Sequence, residues 1–555
     1  MSSGCLFRIA AQHRILFRYS GYILDVEKTF SPMRNNISDV WNRTGRSSRT
    51  FGITGCPGKL WIIAWFAVAV LAVRVDQACA QSATAARSRP NILFLLADDW
   101  GWPGADVYGD SVVRVPTFDW VASQGMVFNN AFCAAPSCSP SRASILTGQY
   151  PHHLEEGSQL WGILTAKFPN YAVLLEKAGY LVGLHGKGYG PNGNEKKGGY
   201  AHNPAGRQYK DFGVFLDSLK RGQPFCFWFG SHKPHRPYPK GIGASLGINP
   251  ASIQVPGFLP DVAEVQRDFI DYYYEVQEFD SACGEIIKLL REKGLLDNTL
   301  IVMSGDNGYP FPRAKANLYD GGTHIPLAIA WKGMIEPATT TDAFVRLSDL
   351  APTFLESAGL PVPREMTAKS LLPILKGTSN DAGRDRVYLE IERHAFARKG
   401  NVGYPMRAIR TKDFLYIRNF EPERWPAGDP VPLSRLGIFA DCDGSPSKVF
   451  VIAHPDLKPV YPGDKTYYEL AFGKRPQEEL YDLKKDPFEM NNLVGDGSYK
   501  SVITGFRREL ARQMRASDDP RAIDPHTDVF NHYPYYGGEF KGKASAKKKR
   551  AKSMQ

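Results

Sequence analysis

Asn91-Ile92-Leu93-Phe94-Leu95-Leu96-Ala97 runs directly into Asp98-Asp99, and the fold class turns on that junction. An apolar run of strand length without polar alternation suits a strand buried on both faces of a parallel sheet. Similar runs recur at Phe225–Gly230 and Thr299–Met303. Helical patterns lie between them: Thr117–Gln124, Ala172–Ala178, and a longer one around Asp268–Lys293 with apolar Phe269, Val276, Phe279, Ile286, Leu289 and Leu290. Strands alternating with helices predict an α/β fold, a mostly parallel sheet flanked by helices. In such sheets ligands gather beyond the carboxyl ends of the strands. Asp98-Asp99 follow the first run, His232 follows the second, and Asp306-Asn307 follow the third. Three segments far apart in sequence are thus expected to bring polar side chains to one rim.

The chain has 555 residues, 43% of them hydrophobic, enough for a large core. After about Leu375 the pattern changes: Val387–Ile391 and Phe414–Ile417 read as antiparallel strands and Ser501–Ala516 as a helix. A large domain over 90–375 and a smaller α+β domain over 376–540 are expected. The net charge of +11 comes from the ends. Residues 1–59 carry nine Lys/Arg against three acids, residues 541–555 carry seven basic residues and no acid, and the body between is near neutral, about −2. A nucleic-acid partner therefore loses its electrostatic support. Leu60–Val73 is apolar between Lys59 and Arg74 and is followed by Ala78-Cys79-Ala80, the pattern of a secretory signal over 60–80 cleaved after Ala80. The run is short for a membrane anchor. Export to a periplasmic, extracellular or lumenal compartment is expected, with 1–59 an extension from an early start codon, 81–89 a flexible leader and 541–555 a disordered basic tail. Beyond the signal the cysteines are Cys133, Cys138, Cys226, Cys283 and Cys442, an odd and sparse set that makes no disulfide framework.

Asp98-Asp99 alone could cap a helix, and Asp306-Asn307-Gly308 alone could be a turn. Together at one rim they are hard oxygen ligands suited to Ca²⁺ or Mg²⁺, and no His/Cys cluster has zinc spacing. Between them lies Cys138-Ser139-Pro140-Ser141-Arg142, continuing into Ala143-Ser144-Ile145-Leu146-Thr147-Gly148. That run fits C-x-P-x-R. With Ala97-Asp98-Asp99 before it, and His232-Lys233-Pro234-His235 and Asp306-Asn307-Gly308 after it, the chain resembles the type I sulfatases over most of its length. The resemblance implies an alkaline-phosphatase-like fold and oxidation of Cys138 to formylglycine by a formylglycine-generating enzyme. It implies one Ca²⁺ (or Mg²⁺) held by Asp98, Asp99, Asp306, Asn307 and residue 138. It further implies that Arg142, Lys187 and Lys315 stabilise charge around the nucleophile and sulfate, and that His232 protonates the leaving group.

Lys187 lies in His185-Gly186-Lys187-Gly188-Tyr189-Gly190. Type I sulfatases usually carry histidine two residues after this lysine, where this chain has Tyr189. Either Tyr189 donates in its place, His185 moves in, or the pocket is reshaped. His235 is read equally as a site or a packing histidine. Asp441-Cys442-Asp443-Gly444 reads as a turn. One branch is closer than others: Ser304–Pro312 with Asn317-Leu318-Tyr319, Tyr404-Pro405-Met406-Arg407, and Glu479-Leu480-Tyr481-Asp482 with Asp486-Pro487 are similar to the heparan N-sulfatases, although Lys315 stands where those usually have arginine. The implied substrate is a terminal sulfated sugar such as N-sulfoglucosamine, with Glu392, His394 and Arg407 as candidate sugar contacts. The rivals are an O-sulfatase on another polysaccharide, a phosphomonoesterase or phosphodiesterase of the same fold, and a non-catalytic sulfated-glycan binder. The sequence leaves oligomeric state open.

Overall fold

In a computed structural model of the chain, Asn91–Ala97 forms strand β1, buried along its whole length. The structure describes residues 89–537 apart from 191–192, 379–382, 434 and 461–462, and a short antiparallel pairing of Arg18–Tyr19 with Tyr22–Ile23. The expected signal, most of the leader and the basic tail lie outside the described residues. Among the described residues no helix is long and apolar enough to cross a membrane.

Seven further strands join β1: β2 (Gly125–Phe132), β3 (Leu181–Gly186), β4 (Arg207–Gln208), β5 (Phe225–Gly230), β6 (Thr299–Gly305), β7 (Leu327–Ala330) and β8 (Thr339–Arg346). Their order is β8-β2-β7-β6-β1-β5-β3-β4, parallel throughout except that β7 runs antiparallel to both β2 and β6. Successive side chains of β1 face opposite sides. Ile92, Phe94 and Leu96 join a core with Leu175 of α3 (Tyr171–Lys177) and Phe354 of α5 (Leu350–Ser357). Leu93, Leu95 and Ala97 join another with Phe118 of α1 (Pro116–Ser123) and Phe279 and Ile287 of α4 (Ala263–Glu292). Helices on both faces explain why the strand is apolar without alternation.

The C-terminal part builds a second, antiparallel sheet from β9 (Arg386–Ile391), β10 (Met406–Thr411), β11 (Phe414–Asn419) and β12 (Glu478–Asp482), in that order. On one face Ile503, Phe506, Leu510 and Met514 of α6 (Lys500–Ala516) cover Ile409, Tyr416 and Leu480, a stripe at helical spacing. On the other, Leu389, Met406, Leu415, Ile417 and Tyr481 share a core with Phe132, Leu318, Tyr319 and Phe344. The strands over Gly125–Phe132, Leu181–Gly186, Leu327–Ala330 and Thr339–Arg346 were not legible in the sequence. Three of them mix apolar with polar or glycine residues and Leu327–Ala330, though apolar, is only four residues long, so their pairing with neighbours stabilises them more than their own pattern does. The cysteines Cys133, Cys138, Cys226, Cys283 and Cys442 are free and buried.

A buried charge network ties the segment after the cysteine-bearing helix to the second sheet. His152 lies with Nδ1 2.7 Å from Glu390 Oε2 and Nε2 2.8 Å from the Ser517 carbonyl. Arg407 donates to Asp519 at 2.6 Å and to Glu392 at 2.7 Å, and Arg521 donates to Glu392 at 2.7 Å. Burial works against both charges of the His152–Glu390 pair, but their attraction outweighs it: His152 is held above its ordinary 6.5 and Glu390 is held down at about 2. The Glu390 contribution is present above its unfolded value and fades as pH falls toward about 2. The His152 contribution is present below its unfolded value and fades as pH rises through the folded one. The stability lost on His152→Gln should therefore be greatest in the mildly acidic range and shrink on both sides in urea unfolding across pH. A loss that does not vary with pH would contradict the charged pair.

Candidate active site

Cys138 is the first residue of α2, Cys138–Thr147, a helix buried from end to end. Pro140 sits in its first turn, where its missing N–H leaves no hydrogen bond unmade. Residues four apart share a helix face, so Cys138 and Arg142 point to the same side. Arg142, with no exposed side-chain surface, donates from Nε to Asp306 Oδ2 at 2.8 Å and from Nη1 to the Lys187 carbonyl at 2.7 Å, and lies 3.5 Å from Asp98. Ser141 donates to the Asp306 carbonyl. One helical turn thereby reaches the ends of β1, β3 and β6.

The oxygens at those ends form a tight group. Asp98, Asp99, Asp306 and the Cys138 sulfur offer ligand atoms all within 4.8 Å of one another. The Cys138 Sγ lies 3.3 Å from Asp98 Oδ1, and burial, then Asp98, pushes its thiol well above the ordinary range. The Asp99 backbone adopts φ +75°, a strained choice for a non-glycine residue, and its N–H donates to Asp306 Oδ1 at 3.0 Å. Asn307 donates to Asp99 and Asp306 through Nδ2. Its Oδ1 is buried with no hydrogen-bond partner among the described residues, a costly arrangement for a polar atom. Three carboxylates and an amide oxygen are hard donors, and the orphaned Oδ1 beside them fits a hard divalent cation.

Lys187 follows β3, where Gly186 has φ +79° and a Cβ at Gly230 would fall 1.7 Å from the Lys187 carbonyl. Only glycine permits that approach, and it sets Lys187 Nζ 2.5 Å from Asp98 Oδ2. Lys315 lies in a loop flanked by left-handed Arg313 and Ala316; its Nζ is 2.7 Å from Asp99 and 3.2 Å from Asp443. Against burial, these carboxylates keep both ammonium groups above their ordinary values. Cys138, Arg142, Lys187 and Lys315 line one cavity of about 220 Å³, together with His235, His394, Trp161, Arg435, Asp443 and Tyr535. His235 Nε2 is 3.9 Å from Asp99 Oδ2. His394 is buried and its Nδ1 meets Ser137 Oγ at 2.9 Å. His232 is exposed and, unlike His235, is not among the residues that line the cavity; partial burial pulls its imidazole down, Asp98 opposes this, and Lys187 and Arg142 add to the fall.

The structure does not bring every expected contact to the cavity. Tyr189 is buried and its hydroxyl donates to the Gly162 carbonyl at 2.8 Å, so it does not stand in for a histidine facing Cys138. His185 stacks on Phe229 and its Nδ1 meets the Tyr209 carbonyl. Glu392 and Arg407 are consumed by the buried network with Asp519 and Arg521. Asp441-Cys442-Asp443-Gly444 is more than a turn: Asp441 pairs with Arg398 at 2.7 Å and accepts from the Ala395 N–H, which fixes Asp443 beside Lys315. Trp161, Arg435 and Tyr535 carried no sequence signal, because loops that meet only in the fold bring them together.

The sulfatase family model matches residues 90–213 and 208–360, and the model described as N-sulphoglucosamine sulphohydrolase, C-terminal, matches 312–429. An ulvan-active sulfatase of Formosa agariphila is 28% identical, covering 79% of this chain and 82% of its own. Human N-sulphoglucosamine sulphohydrolase is 28% identical, covering 79% of this chain and 93% of its own. A structure solved with its substrate D-glucosamine-2-N,6-O-disulfate superposes with TM-score 0.55 at 19% identity, over 79% of this chain and 99% of that one. The phosphonate monoester hydrolase of Agrobacterium radiobacter gives 0.56 at 18%, over 77% and 96%. The last two likenesses show the fold alone.

Arg142 and Asp306 form a fully buried pair, so removing one partner strands the other charge. Such losses typically cost roughly 3–5 kcal/mol. Arg142→Leu should lower unfolding stability by about that amount in urea titrations. A change below about 1 kcal/mol would show that the pair does not hold α2 to the strand ends.

Proposed function

The chain belongs to the sulfatase family and is a sulfuric ester hydrolase, and from that premise we propose that it is an exported exo-sulfatase whose nucleophile is formylglycine made from Cys138. The carrying observation is the meeting of Cys138 with Asp98, Asp99 and Asp306, Asn307 beside them, at a cavity that Cys138 lines together with Arg142, Lys187 and Lys315. The first-choice substrate is a terminal N-sulfoglucosamine. Support comes from the C-terminal family match over 312–429 and the similarity to human N-sulphoglucosamine sulphohydrolase. The comparable similarity to an ulvan-active sulfatase favours O-sulfate release from a polysaccharide as the second reading.

Asp98, Asp99, Asp306 and Asn307 would hold Ca²⁺ or Mg²⁺, which when bound supplies positive charge that acidifies a nearby hydroxyl and polarises sulfate oxygens. Residue 138, oxidised by a formylglycine-generating enzyme, supplies a hydrated aldehyde with one hydroxyl to attack sulfur and a second to release sulfate. The remaining work falls to fixed side chains. Arg142 holds the start of α2 against the strand ends, so residue 138 cannot drift from the oxygens. Lys187 and Lys315 hold ammonium groups beside it, fixed by Asp98, Asp99 and Asp443, and can donate to the sulfate as charge builds on its oxygens. His232, exposed and within the electrostatic reach of Asp98, is the candidate to give a proton to the departing nitrogen or oxygen, with His235 lining the cavity beside it. Protonation of this kind contributes typically about 10²–10⁴-fold, and an amine needs it more than an activated phenol.

Chelation should abolish turnover, and Ca²⁺ or Mg²⁺ should restore it better than Zn²⁺, with Asp98→Asn raising the metal concentration required. Preferential restoration by Zn²⁺ would favour phosphatase-type chemistry.

The matured enzyme should release sulfate from N-sulfoglucosamine, and His232→Ala should slow it by about 10²-fold or more while affecting an activated aryl sulfate less. Sulfate release from O-sulfated sugars alone would end the N-sulfate assignment and leave the sulfatase one standing.

A further inference from the structure

The cavity floor is crowded with charge. Arg142, Lys187 and Lys315 face the carboxylates of Asp98, Asp99, Asp306 and Asp443, every cation paired at 3.2 Å or closer to at least one of them. A dication held by the oxygen cluster adds two positive charges. One sulfate ester or sulfamate then brings a single negative charge. Counted over these groups alone, that complement is neutral. The floor therefore has charge for one anionic group and none to spare for a second.

The outer wall differs. It comes from loops of the C-terminal part: His394-Ala395, Arg435-Leu436, Ala440 and Tyr535. Arg435 lies on the same cavity and is exposed, and among the described residues no carboxylate forms an ion pair with it. The loop behind it is firmly held. Phe439 is buried against Phe472 with ring centroids 4.5 Å apart. Lys448 donates to the Phe439 and Cys442 carbonyls, and Asp441 is clamped by Arg398. An unpaired guanidinium on an anchored wall, above a floor whose charges cancel, is a preformed place for an anion. Its planar fork suits a carboxylate or a sulfate by two parallel hydrogen bonds.

We infer that Arg435 binds a second anionic group of the substrate, a further sulfate on the same sugar or the carboxylate of an adjoining uronic acid, and so makes the enzyme selective for multiply charged saccharides. This rests on the proposed sulfatase reaction for its kinetic readout but not for its binding one. Arg435→Gln keeps a polar side chain and removes the charge. Steady-state kinetics on N-sulfoglucosamine, its N,6-O-disulfated form and an N-sulfoglucosamine–uronic acid disaccharide separate the two sources of the anion. For whichever doubly charged substrate uses the site, KM should rise about tenfold more than for N-sulfoglucosamine, with kcat little altered and Arg435→Lys intermediate. Calorimetric binding of the same three sugars to Cys138→Ala protein, with and without Arg435→Gln, reads the same difference without turnover. It should also show that the doubly charged sugar loses more affinity with added salt. Equal changes for singly and doubly charged sugars in the binding series would overturn the inference, whether or not the wild-type enzyme turns any of them over. Turnover failure with the binding difference intact would instead count against the reaction.

Discussion

The structure depends on one buried ion pair, Arg142 with Asp306. Neither side chain retains solvent-exposed surface. Charges taken so far out of water are tolerated only when mutually paired and hydrogen-bonded. Here the pairing also does the assembling: the Arg142 Nη1 group reaches the Lys187 carbonyl, Ser141 reaches the Asp306 backbone, and Asp99 donates to Asp306. The ends of three strands and the start of a helix are thus held to one point. The position of Cys138 follows, because it lies four residues before Arg142 on the same helix face.

The spacing C-x-P-x-R acquires a physical meaning in this setting. The anchor stands four positions after the reactive residue because that is about one helical turn, and proline is tolerated between them because the turn is the first. The charges around it are layered. Carboxylates of Asp98 and Asp99 hold Lys187 and Lys315 in place. Asp443, from the C-terminal part, takes a second share of Lys315. The second sheet and its loops thus complete the cavity that the parallel sheet begins, while the His152–Glu390 pair fastens the two parts behind it.

Much of this was legible in the sequence where local chemistry and local pattern agree. Asn91–Ala97 and Phe225–Gly230 coincide with their strands because burial on both faces makes them continuously apolar. The Asp98-Asp99 and Asp306-Asn307 pairs lie at the strand ends for the same reason. Less visible were β2 and β8, whose mixed sequences gain strand structure from neighbours, and β7, which is only four residues long. The site divided similarly. Residues on β-strand ends and on α2 could be placed from sequence, whereas Asp443, Arg435, Trp161 and Tyr535 lie on loops brought together by the fold. Tyr189 and Arg407 misled because their residue types suit substrate contact, while the fold spends them on the Gly162 carbonyl and on a buried network.

The account rests most heavily on what Cys138 becomes. Mass spectrometry of the tryptic peptide Val115–Arg142, from protein matured with a formylglycine-generating enzyme, examines that directly, and Cys133 in the same peptide serves as the unmodified control. An aldehyde at residue 138, trapped by a hydrazine reagent, is expected in a fraction that rises in step with specific activity across preparations. An active preparation whose peptide carries only the unmodified thiol at residue 138 would contradict it.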